Sequence, residues 1–180
     1  MLLSKQEQDE FFSNYLPLLY YAAIYEGLLP DGSILMDFGN SSNEIKIQSR
    51  DALFTDADIL RYFRKDNGKH LPKGGAAFLD NVERGMLSDF VVLKQYSQYV
   101  VLLEADSNTF YEVINITEPF SQLLSYIPCY ITTAIFNFNG RIICDGLIKG
   151  GNTHIGPNYE KSFLEDYRTC KAKKKVVTLL

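Results

Sequence analysis

Residues 130–148 read YITTAIFNFNGRIICDGLI, two runs of β-branched and aromatic residues on either side of Asn139 and Gly140. Asn-Gly tolerates positive φ at both central positions of a tight turn, so the stretch predicts a β-hairpin. With a two-residue loop, Phe138 faces Arg141, Phe136 faces Ile143 and Ala134 faces Asp145, while Ile135 shares the other face with Ile142 and Cys144. Apolar side chains then point both ways. That is the pattern of a central hairpin covered on two sides or rolled into a small barrel, not of a strand pair with one wet face. A four-residue loop around Phe138 would shift this register and exchange the faces. Asp145 followed by Gly146 predicts a bulge or a close backbone approach.

The first half of the chain has helical periodicity. Ser4 and Glu7 form a capping-box pattern ahead of Phe11, Phe12, Tyr15, Leu18, Leu19, Ala22 and Ala23, the spacing of a helix with one buried face. Pro17 lies inside that pattern and predicts a kink or a division near Ser13 to Leu16, because it lacks the N–H for the ladder. Ile34 to Met36 and Ile45 to Ile47 read as short apolar pieces around the polar loop GNSSNE, followed by a short helix from about Ser49. Thr55 with Asp58 caps a further helix through Ile59, Leu60, Tyr62 and Phe63 to Asn67 and Gly68. The segment KHLPKGG lacks the spacing of a phosphate-binding loop and reads as the loop before a helix over Ala76 to Arg84.

After Gly85 the period becomes extended. Phe90 to Lys94, Tyr99 to Glu104 and Phe110 to Ile116 predict three strands, Pro119 opens a short helix to about Tyr126, and the hairpin supplies strands four and five. The loop KGGNTHIGPN leads to a last amphipathic helix from about Tyr159 to Lys174, with Phe163, Leu164 and Tyr167 inward, and VVTLL is a candidate sixth strand. Short strand connections imply the α+β class. The expected architecture is an N-terminal helical layer on a strongly curved antiparallel sheet of five or six strands, crossed by a C-terminal helix. It is expected as a single domain over residues 1–180, with a mainly helical half (1–87) and an antiparallel β half (88–180).

A formal net charge of −4 and a pI near 5.2 oppose broad binding to nucleic acid or anionic membranes. No apolar run reaches the ~18 residues of a membrane span, and the N-terminus has no secretory apolar region. Cys129, Cys144 and Cys170 are odd in number and widely spaced, as expected of reduced cytosolic thiols and not of a disulfide framework or a zinc set. No metal and no cofactor is expected. The catalytic candidates are Asp145 and His154, with Cys144 beside them: the carboxylate would orient an imidazole carried by the glycine-rich segment from Gly150 to Gly156. Against this, Cys144 and Asp145 alternate sides of a strand. A buried Asp145 also more simply accepts hydrogen bonds from a turn or pairs with Arg141. His154 reads as a surface-loop residue, and His70 has no companion carboxylate at motif spacing.

The binding candidates are Arg141, Tyr96 and Tyr99; beside Lys94 the two tyrosines would make a base-stacking face. The run from Lys171 to Lys175 complements a helix macrodipole more readily than it marks a phosphate contact. The missing catalytic constellation and the polar loops on a rigid sheet favour a non-enzymatic binding or regulatory module with an unknown protein or small-molecule partner. A small hydrolase using Asp145 and His154 is the alternative, with a nucleic-acid-binding module third. Self-association into a homo-oligomer stays open.

The order GMLSDFVVLKQYSQYVVLLE, a Tyr-x-Val-x-x-Ile strand, FNGRIICDGLI, YEKSFLEDYRTCK and VVTLL resembles an uncharacterised domain of cytosolic proteins from Gram-positive bacteria. The phrase from Asn139 to Leu147 resembles xGxIIYDGLL, PLLYYAA resembles the core of that family's N-terminal helix, and RDALFTDADILRYFRKDN resembles a helical segment of it. The likeness covers most of the chain except Asp31 to Gln48. Some members carry a C-terminal SEC-C zinc motif. No cysteine cluster follows the domain here, so zinc is not expected to carry over. The family's usual Tyr before Asp-Gly is Cys144, which argues against a required phenol there.

Overall fold

The computed structural model describes residues 2–180. They divide into two compact units, Ser4–Met86 and, with the N-terminal leucines, Leu87–Leu180. The class is α+β: helices come first, then a sheet, then a C-terminal helix.

In the helical unit, α1 (Lys5–Tyr25) starts at a complete capping box, with the Glu7 N–H donating to Ser4 Oγ and the Ser4 N–H to Glu7 Oε2 at 2.8 Å. Pro17 does not divide it. A proline inside a helix costs about 3 kcal/mol, whereas fully burying one large apolar side chain returns about 1.5–3 kcal/mol, and α1 buries Phe11, Tyr15, Leu18 and Leu19. Continuity therefore wins. The expectation of short apolar pieces over residues 34–47 is corrected: α2 (Leu35–Gly39) and α3 (Asn43–Thr55) occupy this stretch. Ser42 caps α3 by accepting from the Ile45 N–H at 3.3 Å, and Leu53 follows on the buried side two turns later. The cap of α4 (Ala57–Asn67) is Asp56, not Thr55, whose hydroxyl instead donates back to the Asp51 carbonyl at 2.9 Å at the end of α3. α5 (Gly75–Arg84) completes the unit. Phe11 meets Phe78 edge-on at 5.8 Å, Tyr21 meets Phe63 at 5.4 Å, and Arg64 pairs with Asp80 and Glu83 on α5 at 2.8 Å each.

The β unit contains β1 (Met86–Gln95), β2 (Val100–Glu104), β3 (Phe110–Ile114), α6 (Phe120–Leu123), β4 (Cys129–Phe138), β5 (Arg141–Cys144), β6 (Lys149–His154) and α7 (Pro157–Ala172). The β4–β5 hairpin has the two-residue register: Phe138 opposite Arg141, Phe136 opposite Ile143, Ile135 opposite Cys144. Asn139 and Gly140 have φ of 48° and 74°, the conformation that selects Asn-Gly.

Strand order is β1-β2-β3-β5-β4-β6, with β1 also paired to β4, so the first five strands in that order close into a ring. One expectation fails here, since β3 and β5 are parallel. Parallel neighbours need a crossover, and the segment through α6 supplies it, returning the hairpin to β3 by its second strand. β5 and β6 pair in succession with β4, and residues 145–148 bulge out between them. The sixth strand is thus Lys149–His154, which the sequence presented as loop. The terminal VVTLL contributes only a parallel bridge between Val177 and Tyr111, and Leu180 is held by the Asn137 side chain. α7 covers one face of β1–β3, where Tyr167 is buried among Val91, Leu93, Val101, Leu103 and Phe110.

Candidate functional site

Asp145 is buried at the start of the bulge. Its Oδ1 accepts from the Leu147 N–H at 3.0 Å and from the Thr133 hydroxyl at 3.1 Å. That hydroxyl also lies 3.1 Å from Cys144 Sγ, so Cys144 and Asp145 converge on one buried group despite alternating along the strand. His154 lies elsewhere. It is opposite Cys129 on β4, whereas the Asp145 N–H bonds the Ala134 carbonyl, a separation of roughly 17 Å along the strand at ~3.4 Å per residue. The imidazole is exposed and packs edge-on against Tyr126 at 5.3 Å. The structure does not bring Asp145 and His154 together. Arg141 is half-buried at the hairpin end of β5, and His70 is exposed between α4 and α5.

Tyr96 and Tyr99 are neighbours, with ring centroids 5.1 Å apart. They face α7 and not open solvent. Tyr167 donates to Glu112 Oε1 at 2.6 Å, and Lys171 Nζ donates to the same oxygen at 2.7 Å and to the Tyr99 hydroxyl at 2.6 Å. Burial and then the Glu112 carboxylate push the Tyr167 phenol well above its ordinary range, and the Glu112 hydrogen bond raises the Lys171 ammonium. Each charge in this cluster is answered within it, as expected of a latch holding α7 on the sheet. A second buried carboxylate, Glu104, accepts hydroxyls from Ser88, Ser107 and Tyr111; burial, then this charge, pushes the Tyr111 phenol up to about 12.

An open groove of this unit lies across β1, β4 and β6. It encloses about 310 Å³ and is lined by Asp89, Tyr130, Ile131, Thr132, Lys149, Gly150 and Thr153. In the β4–β6 ladder Tyr130 is opposite Thr153 and Thr132 opposite Lys149, so these four side chains share one face. Asp89 joins them from β1 by accepting the Thr132 hydroxyl. The register shift between Tyr130 and Ile131 sets Gly150 into the floor at φ 93°, where a Cβ would stand 3.2 Å from the Tyr130 carbonyl oxygen. Tyr130 is 40% exposed. None of the lining residues is among the named catalytic or binding candidates, although Gly150 and Thr153 fall in the glycine-rich segment that carries His154. The signal that could have found them was the glycine pair at Gly150 and Gly151, which marks a bulge inside a strand as readily as a loop. Among the described residues, no cluster of His, Cys, Asp and Glu could hold a metal ion. Comparison with family models, with curated proteins and with solved structures gives no match.

Proposed function

We propose that this chain is a non-catalytic ligand-binding module and that the groove across β1, β4 and β6 is its binding site. The observation that carries this reading is the contrast between sites. The carboxylates at Asp145, Glu104 and Glu112 are each occupied by hydrogen bonds from their own unit. In the groove, the Lys149 ammonium and the Tyr130 and Thr153 hydroxyls face solvent with no side-chain partner among the described residues. A site with convergent polar groups beside an exposed aromatic ring is suited to recognition. α7 covers β1–β3 where Tyr167 packs, and none of the residues lining the groove belongs to α7.

Three unbridged thiols and an acidic composition suit a cytosolic setting. Among the described residues no helix is long and apolar enough to cross a membrane. The family resemblance adds no chemistry. Titration of ¹⁵N-labelled protein with a small-molecule fragment library tests the reading. Saturable shifts at the amides of Tyr130 to Thr132 and Lys149 to Thr153, with the fragments recovered unchanged, are expected. Turnover of ester, amide or phosphoester substrates that disappears in both Asp145→Asn and His154→Ala would instead establish the hydrolase.

A further inference from the structure

Resting on the groove as the binding site, we propose that its ligand is a neutral oligosaccharide, one ring of which stacks on Tyr130. Charge decides against most other classes. The groove presents one carboxylate, Asp89, and one ammonium, Lys149, so it carries no net charge of its own. A phosphate or polyanion that reached Lys149 would also meet Asp89, and like charges brought together on binding oppose the complex. The protein's net charge of −4 adds to that opposition.

A sugar hydroxyl both donates and accepts. It can give its proton to Asp89 while a neighbouring hydroxyl accepts from Lys149; the Thr153 hydroxyl serves either role, and the Thr132 hydroxyl, which already donates to Asp89, can accept. The exposed Tyr130 ring supplies the flat apolar face that a ring's C–H surface needs. Gly150 completes the fit. It lines the groove opposite Ile131, where a Cβ would press on the Tyr130 carbonyl, so β6 lies close against β4 there. A peptide added as a further strand would use the backbone of a free sheet edge, whereas these side chains stand on the face of the β4–β6 ladder. At about 310 Å³ the groove is at the small end of ligand sites, and its open sides suit a chain that runs through it.

The test titrates ¹⁵N-labelled protein separately with maltohexaose, cellohexaose, chitohexaose and oligothymidylate. At least one saccharide is expected to shift the amides of Tyr130 to Thr132 and Lys149 to Thr153 saturably in the millimolar range. That affinity should be indifferent to a rise in salt and weakened at least tenfold by Tyr130→Ala and by Lys149→Ala, both exposed positions whose folding the same spectra report. Groove shifts with oligothymidylate alone, fading with salt, overturn the saccharide and leave the binding module standing. Saccharide binding that survives both substitutions overturns the assignment to this groove. Silence from all four probes overturns the saccharide, and silence from the fragment library as well removes the binding site itself.

Discussion

Thr133 is fully buried on β4, and its hydroxyl meets Asp145 Oδ1, the Leu147 carbonyl and Cys144 Sγ, each at 3.1 Å. A hydroxyl in that position holds the bulge between β5 and β6 against the strand it interrupts. Thr133→Val keeps the shape but strips a donor from a buried carboxylate, which costs about 1–3 kcal/mol. The urea midpoint should fall accordingly, and Thr133→Ser should recover most of the loss; equal midpoints for all three proteins would show that the hydroxyl is idle. Asp145 as a turn acceptor was legible from Asp-Gly, because that preference acts over two or three residues. Its bond to Thr133 was not, because the partner lies 12 positions away on another strand. The same limit hid the groove: the Thr132 hydroxyl reaches Asp89 across 43 positions.

Among the elements, β6 shows most directly how pairing overrides local preference. Gly150 and Gly151 adopt φ of 93° and 89°, values that read as loop in isolation, yet both lie in a strand because β4 offers a ladder to bond with. Gly151 is also where Leu124 packs closest. An added Cβ would stand 2.8 Å from Leu124 Cδ2. The leucine can swing away, but the positive φ remains. Gly151→Ala is therefore expected to destabilise the β unit by more than about 1 kcal/mol, seen as faster amide exchange across β6; unchanged exchange there would mean the strand tolerates a side chain. α1 makes the complementary point. Pro17 correctly signals a missing hydrogen bond, but the burial of Phe11, Tyr15, Leu18 and Leu19 outweighs a local penalty that sequence weighs alone.

At the scale of the whole molecule, two phenols in different units link stability to pH. Tyr21 in α1 is pushed up to about 12 by burial and then by Asp66, and Tyr111 in β3 to about 12 by burial and then by Glu104, against an ordinary value of 10.0. Between these values the unfolded chain has released protons that the folded one retains, so stability is complete below the unfolded value and falls as pH rises toward the folded one. Urea midpoints should hold up to about pH 10 and then decline toward 12, and Tyr111→Phe should flatten the decline; constant midpoints through that window would refute the linkage. By itself the sequence determined the α+β class, the existence of the hairpin, the capping box of α1 and the α5 helix, while the choice between the two-residue and four-residue hairpin loop was left to the structure. Each of these rests on backbone preferences or side-chain periods acting within a few residues. Only the tertiary structure decided that β3 and β5 run parallel, that β1 closes on β4, that residues 149–154 form a strand and that Asp89, Tyr130, Thr132 and Lys149 share a groove. Those features depend on which distant segments meet, and the free energy of that meeting belongs to the packed barrel and not to any one stretch of chain.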